Sequence, residues 1–114
     1  MDSSFLLLII LLKEEYLEDV VLALTENGAS GAVVVDGVNM QAMLAYQIPI
    51  FAGFREELGA QPGYAKVLLS QVSDANFPER FISALQEGGT DFRRDELGRL
   101  MLIPLGVYID PSTP

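Results

Sequence analysis

The sequence contains no cysteine and no histidine. Without these side chains the protein can form no disulfide, no thiolate nucleophile, no imidazole base and none of the usual zinc sites. No other set of side chains combines a nucleophile, a base and a residue that orients the base. We therefore predict a non-enzymatic protein with no catalytic residues, no metal and no cofactor.

Basic residues are also scarce, because seven Lys and Arg residues stand against 16 Asp and Glu residues, for a net charge of −9. No basic stripe is present to neutralise nucleic-acid phosphates, and an acidic surface is repelled by an anionic membrane leaflet. The longest apolar run, Phe5–Leu12, has eight residues, whereas a membrane-spanning helix needs about 20. We expect a cytoplasmic protein that neither binds nucleic acid nor inserts into a membrane.

The length of 114 residues fits a single domain over residues 1–114. Half of these residues are apolar, a large share for a chain with so much surface relative to its volume. Burial of the excess apolar surface between copies of the chain is the simplest remedy. We therefore expect a homo-oligomer.

The first part of the chain predicts a strand, a helix and a second strand. Residues 5–13, which are apolar up to Lys13, are typical of a buried strand, and residues 31–37 predict another strand. Between them, residues 14–28 predict a helix, because an apolar stripe recurs at helical spacing. The stripe consists of Leu17, Val20, Val21 and Leu24.

The same order recurs after residue 63. Residues 64–72 predict a strand, residues 73–89 a helix with the stripe Phe77, Phe81, Ile82 and Leu85, and residues 98–109 a last strand. The helix ends "ALTENG" and "ALQEGG" begin at residues 23 and 84, an offset of 84 − 23 = 61. A duplicated strand–helix–strand unit predicts an α+β ferredoxin-like βαββαβ sandwich, whose bare sheet face would be covered by oligomerisation.

An apolar insert separates the second and third strands, at about residues 38–63. It is long for a hairpin connection and too apolar for simple disorder, so we expect irregular structure with short helices. Its apolar side chains are predicted to contact a partner or a neighbouring subunit; alternatively, they cover the exposed sheet face. These side chains are Ile48, Ile50, Phe51 and Phe54.

Four basic residues suggest a site for a small anion. Guanidinium groups donate hydrogen bonds in a fixed fork that fits phosphate or carboxylate, and backbone N–H groups near Gly98 would add to the site. The four residues are Lys66, Arg93, Arg94 and Arg99. An alternative is that these arginines pair with Asp91, Asp95 and Glu96 across a subunit contact.

Two further sequence features have alternative interpretations. Gly37 ends the second strand, where a permissive backbone suits either a close ligand or a simple turn. Acidic residues crowd the start of the first helix, and we interpret them as complementing the helix dipole rather than as a metal site or an acid–base pair. They are Glu14, Glu15, Glu18 and Asp19.

The order of these segments resembles the PII family of trimeric signalling proteins and their shorter PII-like relatives. The resemblance extends over most of the chain. Residues 7–37 are similar to the opening strand, helix and second strand of the family, with its Gly-x-x-Gly turn supplied by Gly28 and Gly31. Gln41 is a loose counterpart of the glutamine that ends the motif after that strand.

The last loop and strand also resemble this family. Gly98 and Arg99 stand where the family has Gly-Lys, and Pro104 falls where the following strand usually carries a proline. The resemblance implies a homotrimer that binds a small anionic effector, such as a nucleotide, in clefts between subunits. It also implies that the 38–63 insert reports ligand state to a protein target, which is a transporter or an enzyme.

A different class of function stays open from the residues alone. The chain would then be a structural or interaction module without a small ligand. In that case the apolar insert forms a subunit contact or a partner contact.

Overall fold

The computed structural model describes residues 4–29, 31–40, 43–44 and 64–112. These residues form an α+β domain with four strands, two α-helices and one short 3₁₀ turn at Glu14–Tyr16. In chain order the elements are β1 Phe5–Leu11, α1 Leu17–Glu26, β2 Val33–Val38, β3 Tyr64–Val72, α2 Phe77–Glu87 and β4 Gly98–Pro104. The predicted α+β class and the predicted order of elements are confirmed.

The four strands form one sheet in the order β2-β3-β1-β4, and every neighbouring pair is antiparallel. Because β3 lies antiparallel between β1 and β2, those two strands run parallel to each other. Likewise, β3 and β4 run parallel with β1 between them. Each strand–helix–strand unit therefore has a strand of the other unit inserted between its own two strands.

The core lies between one face of the sheet and the two helices. Alternate residues of β1 are buried, which are Leu7, Ile9 and Leu11, and the register pairs Ile9 with the buried Leu68 of β3. The helices contribute Val20, Leu24, Phe81 and Leu85 to the same cluster. Helices on a single face explain the alternation, since successive strand residues point to opposite faces.

Both helices end in the same hydrogen-bonded motif. Gly28 and Gly89, 61 positions apart, each have φ of +94°. The N–H of the following residue donates to a carbonyl five residues earlier, from Ala29 to Leu24 and from Thr90 to Leu85, each at 2.9 Å. This is the Schellman arrangement, which satisfies carbonyls at a helix end. The predicted match between the helix ends therefore extends to their backbone geometry.

Two sequence predictions differ from the structure in detail. Val21 was placed on the buried stripe of α1, but it is 39% exposed, and Ala23 is buried instead. The last strand was predicted through residue 109, but it ends at Pro104. Pro104 has no backbone N–H to donate to the neighbouring strand. Because that neighbour, β1, begins at Phe5, the pairing continues among the described residues with a single hydrogen bond, from the Leu105 N–H to the Ser4 carbonyl.

Most of the predicted insert lies outside the described residues. This part of the chain includes the predicted contact residues Ile48, Ile50, Phe51 and Phe54, and also Gln41.

Among the described helices, none is both long and apolar enough to span a lipid bilayer.

We expect Gly89→Ala to lower the free energy of unfolding by about 1–2 kcal/mol, because an L-residue is strained at positive φ. Its neighbour provides a matched control, since Gly88 is not at positive φ and its added Cβ would make only ordinary contacts, the nearest at 3.5 Å. Gly88→Ala should leave stability unchanged or slightly higher. Urea unfolding of both variants tests this, and equal losses would contradict the assignment of the helix end.

Candidate functional site

The loop between α2 and β4 is shaped by the carboxylate of Asp91. Its Oδ1 accepts hydrogen bonds from the backbone N–H of Arg94 at 2.9 Å and of Arg93 at 3.0 Å. These two donors, Arg94 first, lower the pKa of Asp91 below its ordinary value. The chain turns tightly here and carries both arginine side chains out into solvent, where they are exposed.

Buried side chains fix this loop to the core. Phe92 and Leu97 are 5% and 0% exposed, and the ring of Phe92 meets Phe81 of α2 edge to face, with centroids 6.2 Å apart. On the other side, Lys13 Nζ donates to the backbone carbonyl of Asp95. The loop is therefore held between α2 and the end of β1.

The close approach of β4 to β1 accounts for Gly98. This residue has φ of +154°, and a Cβ on it would lie 1.9 Å from the Ile10 carbonyl oxygen. Only glycine fits at that distance without separating the strands. The sequence suggested Gly98 as part of an anion site, but its conformation is explained by strand pairing alone.

A groove of about 550 Å³ lies beside this loop, between α2 and β4. Its apolar lining comes from Leu12, Pro78, Ile82, Phe92 and Leu100. Its remaining lining residues are Arg93, Glu96, Gly98 and Arg99. An apolar cleft of this size with a few charged groups has the general character of a small-molecule site.

Arg93 and Arg99 carry charge that the described part of the chain does not neutralise. Within residues 4–29, 31–40, 43–44 and 64–112, neither guanidinium makes an ion pair or a side-chain hydrogen bond. Arg99 is on an edge strand in register with Ile10, so its Cβ points to the face opposite the helices. It therefore stands where the groove and that sheet face meet.

The other two predicted basic residues are paired with carboxylates. Lys66 on β3 binds Asp36 closely and lies 3.9 Å from Glu14, and its hydrogen bond to Asp36 is the main cause of a raised pKa of Lys66. Arg94 Nε lies 3.8 Å from Asp95 Oδ1. Neither residue lines the groove, so the structure brings together two of the four.

Gly37 is far from the groove in the sheet. It lies on β2, and β2 and β4 are opposite edges of the sheet. A Cβ on Gly37 would meet Val67 Cγ2 at 3.5 Å and the Ala65 carbonyl oxygen at 3.7 Å, which are ordinary contacts. Nothing in its surroundings among the described residues requires glycine.

The sheet face opposite the helices is almost entirely apolar. At its margins Val33, Val35, Met101 and Ile103 are 58%, 45%, 38% and 42% exposed. The register places further half-buried apolar side chains between them: Leu6, Leu8, Ile10, Val67 and Leu69. Neither described helix covers this open sheet face. The sequence predicted a bare sheet face, and β1 is apolar at every position and therefore on both faces.

Acidic residues dominate a second cleft, of about 290 Å³, between the two helices. Its lining includes Asp19, Glu26 and Glu87, a charge that repels anions. Among the described residues, no group of three or more acidic side chains is arranged to hold a metal ion. The groove beside β4 is therefore the better candidate for an anionic ligand.

Comparison with known proteins adds no family assignment: no protein-family model matches the chain, and no curated protein matches it significantly.

We expect Gly98→Ala to lower the free energy of unfolding by about 1–3 kcal/mol, because the new Cβ would overlap the Ile10 carbonyl. Gly37→Ala on the opposite edge strand provides the control and should be tolerated. Chemical denaturation of both variants measures the difference. A stable Gly98→Ala protein with native strand pairing would contradict the role assigned to this glycine.

Proposed function

We propose that this protein is a non-enzymatic, PII-like sensor of ferredoxin-like fold. In this proposal it forms a homotrimer, binds a small anionic effector in clefts between subunits, and signals through the 38–63 segment to a protein target. The observation that carries the proposal is the groove beside β4, where Arg93 and Arg99 lack carboxylate partners among the described residues.

The arrangement of the sheet supports the ferredoxin-like part of the proposal. The order β2-β3-β1-β4, with a strand of one unit inside the other and both helices on one face, is what a βαββαβ sandwich requires. The resemblance of Gly28, Gly31, Gly98 and Arg99 to PII motifs supports the narrower assignment.

The open sheet face supports assembly of several copies. Apolar side chains on all four strands lie together on one side of a chain that carries a net charge of −9. An apolar face of this extent is unusual for a monomer and typical of an interaction surface. Because Arg99 stands at its border, packing of this face against another copy would put the groove at a subunit boundary.

The position of the insert supports its role as the signalling element. The 38–63 segment joins β2 and β3, and Lys66 at the start of β3 is tied by its ion pair to Asp36 near the end of β2. The two ends of the segment are thus held together by the sheet. A loop anchored in this way can change its population of states when a ligand prefers one of them.

The anion site is tested by a thermal-shift screen against adenine nucleotides, cyclic dinucleotides, bicarbonate and 2-oxoglutarate. A ligand that binds the native protein must raise the unfolding midpoint. For any hit, we expect Arg93→Ala and Arg99→Ala to weaken binding at least about tenfold, the value of a charge-assisted hydrogen bond.

Arg94→Ala is the matched control for this experiment, because Arg94 is on the same loop but outside the groove. It should bind the hit as the parent protein does. Equal loss of binding in all three variants would point to a general charge effect. Absence of any hit would favour the second candidate function.

The second candidate is an interaction module without a small ligand, and the open sheet face favours it. We expect Ile103→Glu to dissociate the oligomer, because a charge cannot be buried there without a partner. Leu22→Glu is the control, since Leu22 is 54% exposed on α1, within the helix layer. Light scattering gives the mass of each variant, and an unchanged mass for Ile103→Glu would exclude this face as the interface.

A further inference from the structure

Glu96 adopts a backbone conformation that its side chain does not favour. Its φ is +52°, and it is the one non-glycine residue with positive φ among the described residues. Such a conformation is strained for an L-residue with a long side chain, and glycine or asparagine would adopt it at lower cost. Strain of this kind is retained where the surrounding structure or a function requires it.

The fold around Glu96 makes no use of its carboxylate. The backbone N–H of Glu96 donates to the Arg93 carbonyl at 3.1 Å, and Leu97 continues with a bond to Phe92. Within the described part of the chain, however, the Glu96 side chain makes no ion pair and no hydrogen bond. The turn would therefore form equally well without the negative charge.

The carboxylate instead belongs to the groove. Arg93 and Glu96 belong to the same turn, and both line the groove. They are not paired with each other, since no ion pair of 4.0 Å or less joins them. Among the described residues, the groove thus offers two cations, Arg93 and Arg99, and one anion without ion-pair partners, above an apolar lining that includes Phe92 and Leu100.

We propose that the groove binds a zwitterion with an apolar body, namely a free α-amino acid with an aliphatic or aromatic side chain. Arg93, aided by Arg99, holds the ligand carboxylate, Glu96 holds its ammonium group, and the apolar lining contacts its side chain. This inference rests on the proposed anion site and narrows the chemical class of its ligand.

Three probes of matched shape test the inference: leucine, 4-methylpentanoate, which lacks the ammonium group, and 3-methylbutylamine, which lacks the carboxylate. Each is titrated into the full chain while NMR follows the backbone amides of Arg93, Glu96 and Gly98. Leucine should bind about two- to fivefold more tightly than 4-methylpentanoate, as expected when one exposed ion pair is removed. It should bind at least about tenfold more tightly than 3-methylbutylamine, which loses the charge-assisted hydrogen bonds to arginine.

Variants of Glu96 separate ligand selection from a structural role. Glu96→Gln should bind leucine and 4-methylpentanoate equally, while the double variant Arg93→Gln, Arg99→Gln should bind leucine and 3-methylbutylamine equally. Glu96→Gly should also lose the preference for leucine, yet its unfolding midpoint should rise because the backbone strain is relieved. A fall in that midpoint would show that the carboxylate serves the fold and would overturn the inference.

The remaining outcomes distinguish this inference from the function on which it rests. If leucine and 4-methylpentanoate bind the parent protein equally, the zwitterion assignment is wrong and the anion site stands. The same holds if none of the three probes shifts these amides while an anion from the screen does. If neither the probes nor any screened anion shifts them, both proposals are wrong.

Discussion

The contact between Gly98 and the carbonyl of Ile10 is the constraint on which the rest of the site depends. It allows β4 to lie against β1, so that the central strand is paired on both sides. The loop that precedes β4 is then held at the end of β1, where Lys13 binds the Asp95 carbonyl. The groove is formed because this loop and α2 meet at the edge of the sheet.

The apolar character of β1 has a second consequence. Its residues are apolar on both faces, but the two helices cover only one of them. Burial of the helix side removes Leu7, Ile9 and Leu11 from water, whereas Leu6, Leu8 and Ile10 depend on another surface for complete burial. The same sequence pattern that stabilises the fold therefore creates the open apolar sheet face. The proposed assembly would bury that face.

Much of the fold could be predicted because it depends on local patterns. The bounds of β3 were predicted correctly, and each helix was placed by its 3.6-residue stripe and its terminal glycine. The site could be predicted only in part, because its geometry depends on contacts between distant residues. The clash that requires Gly98 involves a strand 88 positions earlier (98 − 10 = 88). Likewise, the pairing of Lys66 with Asp36 follows from strand register, which composition does not reveal.

The distribution of positive charge gives the strongest reason to regard the groove as functional. Carboxylates outnumber basic residues in this chain by 16 to seven, so a lysine or arginine easily finds a partner. Three of the six described basic residues do so: Lys66 binds Asp36, Arg80 binds Asp74 and stacks on Phe77, and Arg94 lies near Asp95.

Arg93 and Arg99 differ from these residues within the described part of the chain, since neither guanidinium has such a partner. Both line the groove beside β4, whose remaining lining is largely apolar. Neither folding nor solubility requires two guanidinium groups to stand without a carboxylate among the described residues of so acidic a protein. A negatively charged ligand, as proposed for the groove, would account for their position and for the absence of partners in the described part of the chain.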